Sequence, residues 1–369
     1  MFVYDIIIVV KGKPNTWWGN IKFPKEKTKM RKLVTIQNIA EVMPIPDADR
    51  IEMVQVLGWQ CVAKKGEFKK GDKCVYFEVD AFLPVDDERY EFLRASSYRK
   101  NDIMGEGFRI KTQKFRGQIS QGLALPVSQF PEINGAELDT DVSEKLRVMK
   151  WDMPEMESGV GTIVGDKPYG IPTTDETRVQ SIDELRQQLL GKRYYISTKM
   201  DGTSCTAYFT NNEFGVCTRN NLLKDDGKSS MYAYMRRINL EEKIRAYGKN
   251  LVIQGEFCGH GIQKNRLRLK EAEWYVFNVI DADTMRLVDL DTMLEICGDL
   301  GLKTVPIEEV GDNFNYTLAE LLERAKGKYP SGLDKEGIVI RPTTPEYCGI
   351  LGKSLSFKVL NNDFLAKEK

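Results

Sequence analysis

The segment "ISTKMDGTSCTAYF", residues 196–209, sets Lys199 between two β-rich runs, beside an Asp201-Gly202 turn. An ammonium at a strand end, next to a glycine that lets a ligand approach the backbone, becomes a nucleophile once its proton is lost. Apolar neighbours and nearby cations both lower a lysine's proton affinity, so Lys199 is expected to deprotonate more easily than a free lysine. A K-x-D-G tetrapeptide arises by chance with a probability on the order of a tenth in a chain this long, and a solvated hairpin lysine is the plain alternative. The downstream order is far more specific. Arg219 follows in "VCTRNN", Glu256 ends the strand-like "LVIQGEF", and Phe277 lies in "EWYVFNVID". Glu336 then appears in "DKEGIVIRP" and Lys358 in "SLSFKVLNN".

This series resembles the covalent nucleotidyltransferase superfamily of polynucleotide ligases and messenger-RNA capping enzymes. The resemblance implies attack of Lys199 on the α-phosphorus of ATP, a centre shielded by anionic oxygens that cations must neutralise. Glu256 and Glu336 would be hard oxygen ligands for Mg2+ or Mn2+, and Lys358 would stabilise charge growing on the α-phosphate. Phe277 would stack on the adenine, which needs only a flat apolar face. Thr198, Met200, Asp201, Gly202 and Ser204 fall where relatives contact the nucleotide, and so does Arg178 in "IPTTDETRVQ". Two departures stand out: relatives commonly carry glutamate where this chain has Thr198, and a K-x-K pair where it has Ser356 and Lys358. Lys353 is the candidate to replace the missing lysine. His260 is read as a loop histidine with no role.

The elements that must position these groups are of α+β type. From Met30 to about Phe130, short β-branched and aromatic runs are broken by turn clusters such as "PIPDAD" and "KKGEFKKGD". This spacing suits a small barrel or a sandwich. "PIPDADRIEMVQVLGWQCVAKKGEFKKGDKCVYFEVD" resembles the tRNA-binding-type OB modules appended to some synthetases and ligases. That resemblance implies a nucleic-acid face, with Arg109, Lys111, Lys114 and Arg116 as its basic segment. Residues 131–165, rich in proline and glycine, read as a connector, and 166–369 as the nucleotidyltransferase domain built on antiparallel sheets. There Ser181 is expected to cap a helix with Ile182, Leu185 and Leu189 on one face, stopped by Gly191. Residues 1–29 form an extension with no assigned role. Its apolar run Asp5–Val10 is too short for a membrane span and lacks a signal peptide's basic flank.

Composition narrows the classes. Fifty-four basic residues balance fifty-four acidic ones, so any nucleic-acid footprint is local. Seven cysteines without a C-x-x-C pair argue against structural zinc and disulfides, and suit a reducing cytoplasm. A single histidine disfavours a serine-histidine triad and two-histidine metal sites. Eleven residues follow Lys358, so no C-terminal OB domain is expected. The layout resembles the ATP-dependent RNA ligases with an N-terminal OB module, similar to phage-type enzymes that seal nicks in duplex RNA. The resemblance implies a cytoplasmic monomer acting on nicked duplex RNA or an RNA-DNA hybrid. The alternatives are a capping-type guanylyltransferase, a small DNA ligase, or a non-catalytic RNA-binding protein.

Overall fold

The computed structural model describes residues 31–152 and 161–367. The extension expected at 1–29 lies outside them. The N-terminal half is a curled five-stranded antiparallel sheet in the order Leu123–Pro126, Lys73–Phe77, Val34–Pro44, Ile51–Val56, Trp59–Lys64. Its two ends approach each other, as the expected OB-type barrel requires. Trp59–Lys64 alternates buried and open positions, the period of a strand with one face inward. Phe77, Tyr90, Phe108 and Phe130 fill one core, with the Phe77 and Tyr90 rings edge to face at 5.6 Å.

Residues 131–150 are not the connector expected there. Ile133, Val142, Leu146 and Val148 are buried in that same barrel core, and Met149–Lys150 pairs with Ala81–Phe82. Irregular backbone can bury apolar side chains without showing a period, and that hid this segment from pattern reading. Farther on, Ile163–Asp166 pairs with Asn221–Leu223, so the second domain already includes residues before 166.

That domain is built on two sheets. The larger runs Ile163–Asp166, Asn221–Leu223, Glu213–Cys217, Thr203–Thr210, Leu251–Cys258, Glu273–Asp281 and Arg286–Leu287, with Lys303–Thr304 joined beside Glu273–Asp281. The smaller runs Thr177–Arg178, Phe357–Leu360, Gly337–Pro342, Tyr194–Lys199 and Ile307–Gly311. Pairing is antiparallel apart from Thr177–Arg178 on Phe357–Lys358 and Tyr275–Val276 on Lys303–Thr304. Gly337–Pro342 is buried at every position, and its near-continuous apolar run reflects cover on both faces. Each sheet has its own apolar core.

The helix expected after Ser181 is Glu184–Leu189, with Asp183 at its N-cap and Leu185 and Leu189 buried. Ser181 instead ends a 3-10 turn, Val179–Ser181, so the start falls two residues later than its polarity suggested. Gly191 does follow the helix, at φ 76°. Among the described residues, no helix is long and apolar enough to cross a membrane.

Candidate active site

The cavity lies between the two sheets. Lys199 ends Tyr194–Lys199 in the smaller sheet, where it pairs in register with Gly337, so the preceding Glu336 is brought alongside. The Lys199 ammonium donates to Glu336 Oε2 at 2.7 Å. From the larger sheet come Ser204 and Glu256, cross-strand partners, and Phe277 on the next strand. Lys358 enters on Phe357–Leu360. Lys199, Glu256, Phe277 and Lys358 line one cavity of about 410 Å3, together with Thr198, Met200, Gly202, Ser204 and Arg219. Two glycines allow the close approach. A Cβ on Gly202 would lie 2.7 Å from Cys258 Sγ, and one on Gly337, whose φ is 153°, would run into the Val359 carbonyl.

The charges correct the expected proton affinity of Lys199. Burial acts to lower its pKa, yet the Glu336 and Glu256 carboxylates outweigh that and hold it above the ordinary lysine value. Burial pushes Glu256 up to about 7; Lys199 pulls it back, while Glu336 and Asp201 push it further. Lys358 goes the other way. Burial, then repulsion from Lys199 and Arg178, brings it down to about 7.

The donor set fits a divalent cation. Two carboxylates, Glu256 and Glu336, converge on one ammonium at the cavity, and hard oxygens are what Mg2+ or Mn2+ takes. Among the described residues no cluster of three or more His, Cys, Asp or Glu forms a metal cage. Magnesium bound by one or two carboxylates, with water and substrate phosphate as its other ligands, needs none.

Arg178 and Asp201 do not line the cavity. Arg178 donates to Asp80 of the barrel at 3.4 Å, and its guanidinium sits 5.8 Å from the Trp59 ring. Asp201 pairs with Arg266 at 3.3 Å. Lys353, the candidate for the missing lysine, donates to the Asp175 carbonyl. Ser356 instead accepts from Arg341, at 2.9 Å. Arg341 lines the cavity, donates to Glu176 at 2.7 Å and to the Phe277 carbonyl at 3.3 Å, and supplies a buried cation that sequence reading missed. An arginine inside the apolar run "GIVIRP" was the available signal. Arg219 faces Asp152 at 3.4 Å and Asp175 at 3.6 Å. Lys114 and Arg116 lie on a separate barrel hairpin, Gln113–Phe115 and Gln118–Ser120, with Lys111 just before it. Burial and the neighbouring Arg99 and Arg109 lower the Lys111 pKa.

The comparisons agree with this architecture. An OB-fold domain family matches residues 33–127, and the RNA ligase family matches 192–360. No curated protein matches the sequence. A lysine-to-methionine variant of Naegleria gruberi RNA ligase with AMP and Mn superposes with a TM-score of 0.83, at 34% identity over 92% of this chain and 99% of that one. The same enzyme with PPi gives 0.82, at 34% identity over 92% and 99%. A lysine-to-alanine variant with ATP and Mn gives 0.83, at 32% identity over 91% and 99%. With the fold, domain order and identity in agreement, the chain belongs to the RNA ligase family, among its ATP-dependent members that carry an OB-fold domain ahead of the ligase domain.

Proposed function

We propose that the protein joins 3′-hydroxyl and 5′-phosphate RNA ends, at nicks in duplex RNA or an RNA-DNA hybrid, through a lysyl-AMP on Lys199. The observation that carries this reading is the convergence of Lys199, Glu256, Phe277 and Lys358 on one cavity, with Glu336 bound to the Lys199 ammonium. The Naegleria gruberi structures with ATP, AMP, PPi and Mn support ATP as substrate and a divalent cation as cofactor. Such a cation would offset the negative charge of the phosphate oxygens and of the two glutamates.

The chain's own groups divide the work. Lys199 loses its proton to solvent and attacks the α-phosphorus, the P–N bond forming as the bond to pyrophosphate breaks and pyrophosphate leaves with the electron pair. Arg341 places positive charge at the cavity where the α-phosphate gains negative charge, and Lys358, brought down to about 7 by burial and neighbouring cations, joins it once bound phosphate restores its proton affinity. Phe277 offers its face to the adenine. AMP then passes to the RNA 5′-phosphate, and attack by the 3′-hydroxyl expels it. Since Lys199 is held above the ordinary lysine value, adenylylation is expected to speed up as pH rises from neutrality. Seven free, buried cysteines suit a reducing compartment, and we read the protein as a cytoplasmic monomer. Incubation with each radiolabelled nucleoside triphosphate tests the reading: ATP alone should label the protein covalently. Labelling by GTP would instead make it a capping-type enzyme.

Arg219 lines the cavity with two long ion pairs that phosphate could displace, and we assign it to the 3′-hydroxyl strand. Ribonucleotides should be required on the 3′-hydroxyl side, where a 2′-hydroxyl can be read, and DNA tolerated on the 5′-phosphate side. Arg219→Ala should slow sealing more than lysine adenylylation. Equal sealing of all-DNA nicks would contradict this assignment. Lys111, Lys114 and Arg116, with the partly exposed Phe115 beside them, are proposed to track the RNA backbone along the barrel.

The barrel touches the ligase domain through Asp80 on Arg178, Asp152 on Arg219, and the Gly58 amide donating to the Gln180 carbonyl at 3.0 Å. A fragment starting near Gly161, which keeps strand Ile163–Asp166, should fold on its own two cores. Lacking the partner that orients Arg178, it should adenylylate slowly while still closing a pre-adenylylated nick, from which no pyrophosphate departs. If it loses both activities equally, the barrel serves only as a duplex clamp or a folding partner.

A further inference from the structure

The nucleophile and its carboxylate meet where two neighbouring strands end, and a strand end leaves backbone groups without ladder partners. One side chain fills that gap. Tyr329, 4% exposed, donates its hydroxyl to the Lys199 carbonyl at 2.7 Å and accepts from the Glu336 amide at 3.1 Å. The phenol thus continues the pairing of Tyr194–Lys199 with Gly337–Pro342 one step beyond its last register pair, Lys199 with Gly337.

Tyr329 is itself held. Its amide donates to the Leu333 carbonyl at 2.8 Å, and its carbonyl accepts from the Gly332 amide at 2.9 Å. The other side of Glu336 is clamped as well, since its carbonyl accepts from the Asn361 amide at 2.9 Å. Lys335, just before it, is bound through two 2.7 Å contacts to Glu308, which also accepts from Thr198 at 2.7 Å. On the Lys199 side of the junction the hydroxyl of Tyr329 is the side-chain contact that reaches both backbones.

We infer that Tyr329 is a positioning residue for adenylylation, its hydroxyl fixing the Lys199 and Glu336 backbones so that ammonium and carboxylate meet in line with the cavity. The inference rests on Lys199 being the nucleophile. A small error in placing an attacking group costs far more rate than binding, because in-line alignment supplies much of the acceleration. Tyr329 does not line the cavity, and its hydroxyl bonds the backbones of Lys199 and Glu336 rather than their side chains, so ATP affinity should barely change.

The test is single-turnover lysyl-AMP formation by the full chain, with radiolabelled ATP, for wild type, Tyr329→Phe and Lys199→Ala. Tyr329→Phe keeps the ring and removes only the hydroxyl. Its maximal adenylylation rate is expected to fall roughly tenfold to a hundredfold, with half-saturating ATP changed less than about threefold. Closure of a pre-adenylylated nick, which needs no free amine, should fall less than about fivefold. A hydroxyl that only stabilises the fold would lower the melting temperature and leave the maximal rate alone, and that outcome overturns the inference. Should Tyr329→Phe not fold, 3-fluorotyrosine in place of Tyr329 keeps both bonds but strengthens the donation to the Lys199 carbonyl and weakens the acceptance from the Glu336 amide. A changed maximal rate there supports the inference, and a wild-type rate overturns it. A covalent label persisting in Lys199→Ala would overturn the nucleophile assignment instead, a separate failure.

Discussion

Lys199→Ala is expected to abolish the covalent AMP adduct while leaving measurable closure of a nick that already carries a 5′ adenylate. The reasoning is chemical. Among the described residues lining the cavity, Lys199 and Lys358 are the amines, and Lys199 alone is bound to the carboxylate at the adjacent strand end. On the proposed mechanism, removing its amine removes the atom that would form the P–N bond. The final step joins two RNA ends and uses no amine, so it survives apart from whatever charge Lys199 contributes to the site. Lys199→Arg should be as inactive as alanine, since a guanidinium stays protonated and cannot become the nucleophile. Separate assays of label transfer from radioactive ATP and of pre-adenylylated nick closure read the two steps. Normal labelling of Lys199→Ala would remove the basis of the proposed mechanism. Loss of both steps with an unchanged fold would instead mean that the ammonium serves every step as a charge.

The expected site residues were legible because their order along β-rich runs resembles the nucleotidyltransferase series, not because any one motif was specific. Lys199 precedes Asp201-Gly202, Glu256 ends an apolar run, and Lys358 follows another. What pattern could not show is which distant residues face them. Tyr329 meets Lys199 across 130 residues of chain, and Arg341 meets Glu176 across 165. No local period encodes such a pairing. The same limit explains the error over proton affinity. Apolar neighbours and cations near Lys199 could be anticipated, but the topology sets Glu336 in contact with it and Glu256 near it, and the attraction of the two carboxylates outweighs burial. Residues 131–150 were misread for a related reason: Ile133, Val142 and Leu146 enter the barrel core from turns, where no strand or helix spacing announces them.

Replacing either glutamate is expected to cost roughly a hundredfold or more in lysine adenylylation, the scale of losing a metal or oxyanion partner. The two variants should differ in ways that identify their roles. Glu336→Ala frees the Lys199 ammonium from its 2.7 Å partner, which lowers the lysine pKa. Part of its loss should therefore be recovered at lower pH than in wild type, where the amine is more firmly protonated. Glu256→Gln has a different signature. Its carboxyl in the folded protein titrates near 7, above the ordinary value of 4.5, chiefly because burial penalises the charged form. A carboxyl raised in this way opposes folding at pH above 7, and the penalty fades as pH falls below the folded value toward 4.5. In buffer without divalent cations, Glu256→Gln should thus melt higher than wild type at pH 8, by a margin that shrinks as the pH is lowered, even as its adenylylation collapses. Adding Mn2+ should raise the melting temperature of wild type more than that of the variant, since a cation bound by Glu256 relieves the same buried charge. Near-wild-type adenylylation in both variants, or a Mn2+ response unaffected by either change, would reassign Glu256 and Glu336 to scaffolding.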